Sequence, residues 1–410
     1  MRGKHAVVLG LARSGLAAVA ALRQVGATVV GHDLNEDVAP LDGIVARLGA
    51  WDDAYLDGAD LVVKSPGIPE GAEPVIAAHR AGIEVISEIE LGARLLANPI
   101  VGVTGTNGKT TTTALLGAIF SASGRPVEVV GNIGRPLTAL VGSVDPATWI
   151  VCELSSFQLE GVTTLAPVIA VLTNLEPDHL DRHGTFEAYT DAKLRIFAHQ
   201  TADGTAIVPR GFRAIPGSAA RVEFAGDDPL PAEPLIPGAH NRENAAAATA
   251  AARVAGIPDA AIAEALRTFP GVEHRIEEVA VVRGVTYVND SKATNVAAAL
   301  RALASFPGRE KHVILGGRGK NESYRPLAEA FAPGDHAYVI GEAAPEIAAA
   351  LEAAGVQFVR CSGLAEAVSL AAHAAAEPAV VLLSPACASF DQFASFEHRG
   401  EEFRRLAQKL

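Results

Sequence analysis

The sequence predicts an α/β protein of three domains built on mainly parallel sheets. Three observations carry this. A length of 410 residues exceeds what one hydrophobic core supports. Three times the chain starts a β-branched run, passes a Gly-rich turn and enters an apolar-periodic helix. Breakers at Asn98-Pro99 and Pro270-Gly271 separate the blocks, so domains are expected at 1–97, 98–270 and 271–410.

The first block opens with the strand Ala6-Val7-Val8-Leu9-Gly10 and a helix through Leu16 to Leu22. Thr28-Val29-Val30 is its next strand, ending at Asp33; Leu61-Val62-Val63 then runs into Lys64-Ser65-Pro66-Gly67. The second block carries strands at Ile100–Val103, Trp149–Cys152 and Val168–Leu172, with loops and short strands between Pro209 and Gly238. The Ala-rich run from Asn244 to Ala255 reads as a helix, because Ala is the strongest helix former. In the third block the strands are Thr286–Val288, His312–Leu315, Tyr338–Ile340 and Val380–Leu383.

Hydrophobic residues at 49% and charged residues at 20% are the balance of a folded globular chain. Lys plus Arg number 34 against 47 Asp plus Glu, a net charge of -13, which argues against nucleic acid or an anionic membrane as partner. An anionic small substrate is still compatible, since a few cations in a cleft override the global sign. Cys152, Cys361 and Cys387 are odd in number and lack CxxC spacing, so neither a disulfide framework nor structural zinc is expected. A cytoplasmic chain follows from that cysteine usage. No apolar run approaches the roughly 18 residues of a membrane span, and a strand begins too early for a signal peptide.

Gly105-Thr106-Asn107-Gly108-Lys109-Thr110 follows a strand and opens a helix, the placing of a phosphate cradle. Glycines let backbone N–H groups converge on phosphate oxygens, Lys109 bridges the outer phosphates, and the Thr110 hydroxyl suits Mg²⁺. Val103 stands where the general pattern has a first Gly, so the loop is a shortened one. Glu153 ends a strand where it could meet that metal. Asp178-His179-Leu180-Asp181 follows another strand end, with Lys193 farther along. At the carboxyl edge of one parallel sheet these groups would share a crevice.

In the first block, Gly10-Leu11-Ala12-Arg13-Ser14-Gly15 is a dinucleotide fingerprint with its second Gly replaced by Ala. Asp33 sits where a Rossmann-like domain places its ribose-binding acid. From these residues alone a nicotinamide-dependent oxidoreductase competes, although it leaves the Lys109 loop unexplained.

The loop Gly105–Thr110 resembles the shortened ATP loop of the Mur ligases and folylpolyglutamate synthases, and the resemblance extends over the whole chain. Glu153-Leu154-Ser155-Ser156-Phe157-Gln158, Asn289–Asn295 and Ser384–Phe393 are similar to one branch, whose members join D-glutamate to UDP-N-acetylmuramoyl-L-alanine. The resemblance implies Rossmann-like first and third domains around a P-loop ATPase-like centre. It implies ATP-driven amide-bond formation through an acyl phosphate, in peptidoglycan precursor synthesis, by a monomer. A sister ligase of the family or a folylpolyglutamate synthase is the alternative.

By the same resemblance Gly105 through Thr111, Asn241, Asn244, Arg275, Asp290 and Lys292 contact ATP. Thr110 and Glu153 would hold one Mg²⁺; His179 and a carbamylated Lys193 would hold a second, with Glu153 shared. Arg13, Ser14, Asp33, Asn35, Ser65, Gly67, Asn132 and Ser155 align with UDP-substrate contacts, although Asn35 stands where the family often has a cation. Thr294, Lys320, Ser389 and Phe396 match the D-glutamate pocket. Cys387 reads as a packing residue, since ATP-driven ligation needs no thiol.

Overall fold

The computed structural model describes residues 1–38, 43–213, 215–320 and 322–410, with the Asp181 side chain outside the described set. Five strands form the first sheet: β1 (His5–Leu9), β2 (Thr28–Asp33), β3 (Val45–Leu48), β4 (Leu61–Lys64) and β5 (Glu84–Ser87). Their order is β3-β2-β1-β4-β5, all parallel. Because β2 and β4 flank β1 on opposite sides, the loops after β1 and β4 diverge and leave a crevice at the carboxyl edge. Helices α1 (Arg13–Gln24), α2 (Glu73–Arg80) and α3 (Glu88–Leu95) cover this sheet. At Gly15 a Cβ would stand 1.7 Å from the Gly10 carbonyl oxygen, so only glycine lets α1 seat against that turn.

The second sheet holds β6 (Ile100–Thr104), β7 (Val127–Gly131), β8 (Trp149–Glu153), β9 (Ile169–Leu172), β10 (Thr205–Pro209) and β11 (Ala220–Phe224). Its order is β11-β10-β9-β6-β8-β7, again parallel throughout. Here β6 is the switch strand, between β8 and β9. Helices α4 (Lys109–Ala122), α5 (Ser156–Glu160), α6 (Leu180–His183), α7 (Phe186–Ala198) and α8 (Ala239–Val254) follow in chain order. Ala245, Ala246, Ala247, Ala248, Ala251 and Ala252 of α8 are all buried against Leu115, Leu116, Ile119 and Phe120. Ala serves here as a small core residue, which the low-complexity run did not announce.

The third sheet is mixed, with β12 (Glu277–Val282), β13 (Val285–Asn289), β14 (Lys311–Gly316), β15 (His336–Ile340), β16 (Gln357–Arg360) and β17 (Val380–Leu383). Its order is β12-β13-β17-β14-β15-β16; β12 alone runs antiparallel, paired to β13 through a tight hairpin.

By contact the chain forms two compact units, 1–235 with 242–269 and 236–241 with 270–410. Buried carboxylates tie the first two sheets into the first unit. Glu90 accepts the backbone N–H groups of Thr163, Thr164 and Leu165 at 3.0–3.1 Å and Arg94 Nε at 2.8 Å. Burial would raise its pKa, but the hydrogen bonds from Thr164 and Arg94 outweigh that and leave it at about 2. Its neighbour Glu88 accepts the Thr138 N–H and hydroxyl at 2.7 and 2.6 Å.

One sequence expectation needs correction: the Ala-rich helix starts already at Ala239, not Asn244. The sheets are mainly parallel as expected, with β12 the antiparallel exception. The six strands at sheet edges, with β10, were not singled out beforehand. Edge strands are half-exposed and lack the continuous apolar run that marks an interior parallel strand.

Candidate active site

Strand β6 delivers Gly105–Gly108 to the start of α4. Gly105 has φ +144° with a would-be Cβ 2.0 Å from Thr173 Oγ1; Gly108 has φ +82° and faces Asn244 Oδ1 at 2.1 Å. Any side chain at either position would break the cradle. Thr173 and Asn174, just past β9, hold the loop from below. Thr173 Oγ1 donates to Asn107 O, and Asn174 Oδ1 accepts the Asn107 N–H at 2.9 Å. Thr106 Oγ1 donates to Glu176 O at 3.0 Å and accepts Tyr189 OH at 3.0 Å.

Two lysines converge on this loop. Lys109 Nζ donates to Gly105 O at 2.9 Å and to Thr106 O at 2.8 Å. Lys193 Nζ donates to the same Gly105 O at 2.7 Å and stands 4.7 Å from the Tyr189 ring centre. At 2% exposure Lys193 is a buried lysine rather than a surface cation. Burial, then repulsion from Lys109, push its amine well below the usual lysine range, against the pull of Asp178 and Glu153.

Glu153 ends β8 beside Val103 of β6 and is 1% exposed. Its Oε1 accepts Asn132 Nδ2 at 2.8 Å, while Oε2 is buried with no hydrogen-bond partner. A buried carboxylate oxygen left unpaired calls for a cation. Thr110 is buried at the first turn of α4, and the Thr111 hydroxyl is buried with no hydrogen-bond partner. His179 opens α6 with φ +53°, its Nε2 3.6 Å from Asp178 Oδ2. Among the described residues no cluster of three His, Cys, Asp or Glu side chains forms a metal site by itself. Glu153 and Thr110 offer oxygen atoms of the kind a hard cation takes.

The crevice of the first sheet brings Arg13 and Ser14, at the start of α1, together with Asp33, Ser65 and their loops. Asp33 accepts Leu11 N–H at 2.6 Å and Asn35 N–H at 2.9 Å, and Ser65 Oγ donates to Gly10 O at 2.9 Å. Gly67 is exposed with open space around it. Asn132 is committed to Glu153, and Ser155 caps α5 through a capping box with Gln158.

In the second unit the loops after β13, β17 and β14 lie at the carboxyl ends of three adjacent strands. They carry Asp290, Lys292 and Thr294; Ser389; and Lys320. Lys320 Nζ lies 3.5 Å from Thr294 Oγ1, and Lys292 Nζ lies 5.0 Å from the Phe396 ring centre. Asn241 donates Nδ2–H to Pro237 O at 2.7 Å in the same unit. Arg399, 1% exposed, was missed from sequence. Its guanidinium reaches Ser291 O at 2.8 Å, Cys387 O at 3.2 Å, and Gly316 O and Ala388 O at 3.4 Å, stitching those three loops. Its partners lie up to 108 positions away, so no local signal announces it. Cys387 packs with Sγ 3.1 Å from Tyr324 OH, and burial pushes its thiol up to about 11, as befits a packing residue.

Asp290 accepts Ser384 Oγ at 2.9 Å and Ile276 N–H at 3.2 Å. Burial raises its pKa from 3.8 to about 7, against the pull of Arg275. The folded chain therefore holds this proton more tightly than the unfolded chain. The stability it contributes is full below about pH 4 and lost as pH rises to about 7. Thermal melts should show wild type losing stability relative to Asp290→Asn across that window; parallel profiles would contradict the assignment.

The chain matches the Mur ligase MurD-like N-terminal domain over 4–87, the Mur ligase middle domain over 103–225 and the Mur ligase glutamate ligase domain over 274–387. It belongs to the Mur ligase family. A UDP-N-acetylmuramoylalanine–D-glutamate ligase of Acidobacterium capsulatum is 42% identical over 446 residues, covering 99% of this chain and 96% of its own. An enzyme of the same name from Anaeromyxobacter dehalogenans is 44% identical over 458 residues, covering 99% and 98%. Among solved structures, the UDP-N-acetylmuramate-alanine ligase MurC of Thermotoga maritima superposes with a TM-score of 0.61 at 18% identity, covering 99% of each chain. MurF of Thermotoga maritima, solved with ADP, gives a TM-score of 0.61 at 17% identity, covering 100% of this chain and 96% of its own. These structures share the fold. Family membership displaces the oxidoreductase reading. No helix among the described residues is long and apolar enough to cross a membrane.

Proposed function

We propose that this chain uses ATP to join D-glutamate to UDP-N-acetylmuramoyl-L-alanine in the cytoplasm. The product would feed peptidoglycan synthesis, and through it cell-wall biogenesis, cell shape and division. The observation that carries this reading is identity of 42% and 44%, over 99% of the chain, to relatives of that name. We assign 1–97 to the UDP moiety, 98–270 to ATP and 271–410 to the amino acid, in a monomer.

The reaction transfers the γ-phosphoryl group of ATP to the substrate carboxylate, giving an acyl phosphate and ADP. The amine of D-glutamate then attacks the acyl carbon, loses a proton, and phosphate leaves. Two anions must meet in the first step, so charge neutralisation and positioning dominate. Lys109 would turn from its loop carbonyls to the outer phosphates. Asn244 would meet the nucleotide from α8, with Asn241, Arg275, Asp290 and Lys292 completing the ATP set. Thr110 and Glu153 would hold one Mg²⁺, and His179 with carbamylated Lys193 a second. When bound, these ions would supply positive charge to the transferring group. The low-lying Lys193 amine supports carbamylation, since only the neutral amine adds CO₂.

Lys320 and Thr294, with Ser389 and Phe396, suit an amine substrate bearing two carboxylates. Phosphate release from ATP and UDP-N-acetylmuramoyl-L-alanine should therefore depend on D-glutamate. L-lysine or diaminopimelate should be poorer by roughly 10³-fold or more, because each leaves a buried charge unpaired. Equal turnover with L-lysine would overturn the substrate and point to a sister ligase of the family.

A further inference from the structure

One side-chain cluster links the Ser65–Ile68 loop after β4 to the His179 turn after β9. Arg182 Nη1 donates to Pro66 O at 2.9 Å, and Nη2 donates to Ile68 O at 3.1 Å and to Glu160 Oε2 at 3.0 Å. Its guanidinium carbon stands 4.2 Å from the Phe157 ring centre. The same ring meets His179 edge-on at 4.8 Å and His183 stacked at 5.4 Å. Glu160 Oε2 also faces the buried Lys64 Nζ at 3.4 Å, and its Oε1 lies 3.5 Å from His183 Nδ1.

The local backbone gives this cluster leverage. Helix α6 has only four residues, too few to hold a shape unaided. The His179 carbonyl accepts the Arg182 N–H at 3.1 Å and the His183 N–H at 3.0 Å. His179 itself stands at φ +53°, a conformation a non-glycine residue keeps only when its surroundings impose it. Whatever anchors Arg182 therefore anchors His179. The anchor is a loop of the first sheet.

We propose that Arg182 and Glu160 are positioning residues that join the Ser65–Ile68 loop and the His179 turn into one body, so that UDP-substrate binding and metal-ligand order are set together. What the two ends bind rests on the reading above; the coupling itself rests on the contacts just given. A planar guanidinium serves two carbonyls and one carboxylate at once, and a lysine cannot.

The test compares wild type with Arg182→Lys and Glu160→Gln. Its readouts are calorimetric affinity for UDP-N-acetylmuramoyl-L-alanine without ATP, the Mg²⁺ half-saturation of phosphate release, and amide hydrogen exchange. In both variants substrate affinity should fall and Mg²⁺ half-saturation rise, each by roughly tenfold or more, with the ATP KM within about twofold. Adding the UDP substrate should slow exchange across 178–184 in wild type and not in the variants. If the variants only melt earlier, with wild-type Mg²⁺ half-saturation and protection, the cluster is a domain staple and the proposal fails. If wild type binds no UDP substrate, the earlier reading fails. The coupling is then judged on the free proteins, where both variants should exchange faster at 65–68 and at 178–184 alike; acceleration of one segment alone would overturn it.

Discussion

Replacing Lys109 by Ala should lower ATP-driven phosphate release by roughly 10²-fold or more, because a cation leaves the path of the transferring phosphoryl group. The side chain now spends its charge on Gly105 O and Thr106 O, at 2.9 and 2.8 Å. Those carbonyls are where outer phosphate oxygens would draw it away, so the loss belongs to catalysis and nucleotide binding. Affinity for the UDP substrate should survive, since the crevice we assign to it lies on the first sheet and Lys109 follows a strand of the second. Calorimetry with that substrate and phosphate release with ATP separate the two. Normal turnover in Lys109→Ala would mean the loop binds no phosphate.

Lys193→Ala should be nearly inactive, and a small carboxylate such as formate or acetate should restore part of the turnover. Its burial and the nearby Lys109 shift it toward the neutral amine, against the pull of Asp178 and Glu153. Addition of CO₂ to that amine would turn a would-be cation into an anionic oxygen donor, the kind of ligand hard Mg²⁺ takes. Formate or acetate could fill the vacated oxygen site. Its burial also means that Ala leaves a void, so melting temperatures must accompany the rates. A folded, inactive variant rescued by acetate supports the carbamate; near-normal activity without any addition would remove the second metal site.

Much of the candidate site was legible because its members follow strand ends. Gly105–Thr110 follows β6, Glu153 ends β8 and Asp178-His179 follows β9, so three interior strands bring them to one edge. Interior parallel strands advertise themselves by continuous apolar runs. Lys193 was grouped with these site members by position, but its carbamate and ligand role came only through the resemblance. Its spacing from Tyr189 puts both on one face of α7, yet the run Asp191-Ala192-Lys193 reads locally as a solvated turn of helix.

Other parts had no local signature. Asn132 could be placed at a turn, but not on Glu153, since the order β6-β8-β7 is what brings the β7 loop to that carboxylate. Arg182, Glu160 and Lys64 look like ordinary surface charges in a linear reading. Arg182 meets Pro66 across 116 positions, and Lys64 meets Glu160 across 96.

The ligand sets came through the resemblance; the sequence by itself determined the α/β class and the glycine-rich loop between β6 and α4. Those depend on local periodicity, glycine placement and strand-end position, which are properties of short segments. Only the tertiary structure decided which charges are buried, which carboxylate oxygen is left without a partner, and that Lys193 shares a carbonyl with Lys109. Desolvation and long-range hydrogen bonding depend on what packs against a group from distant parts of the chain, and strand order sets that.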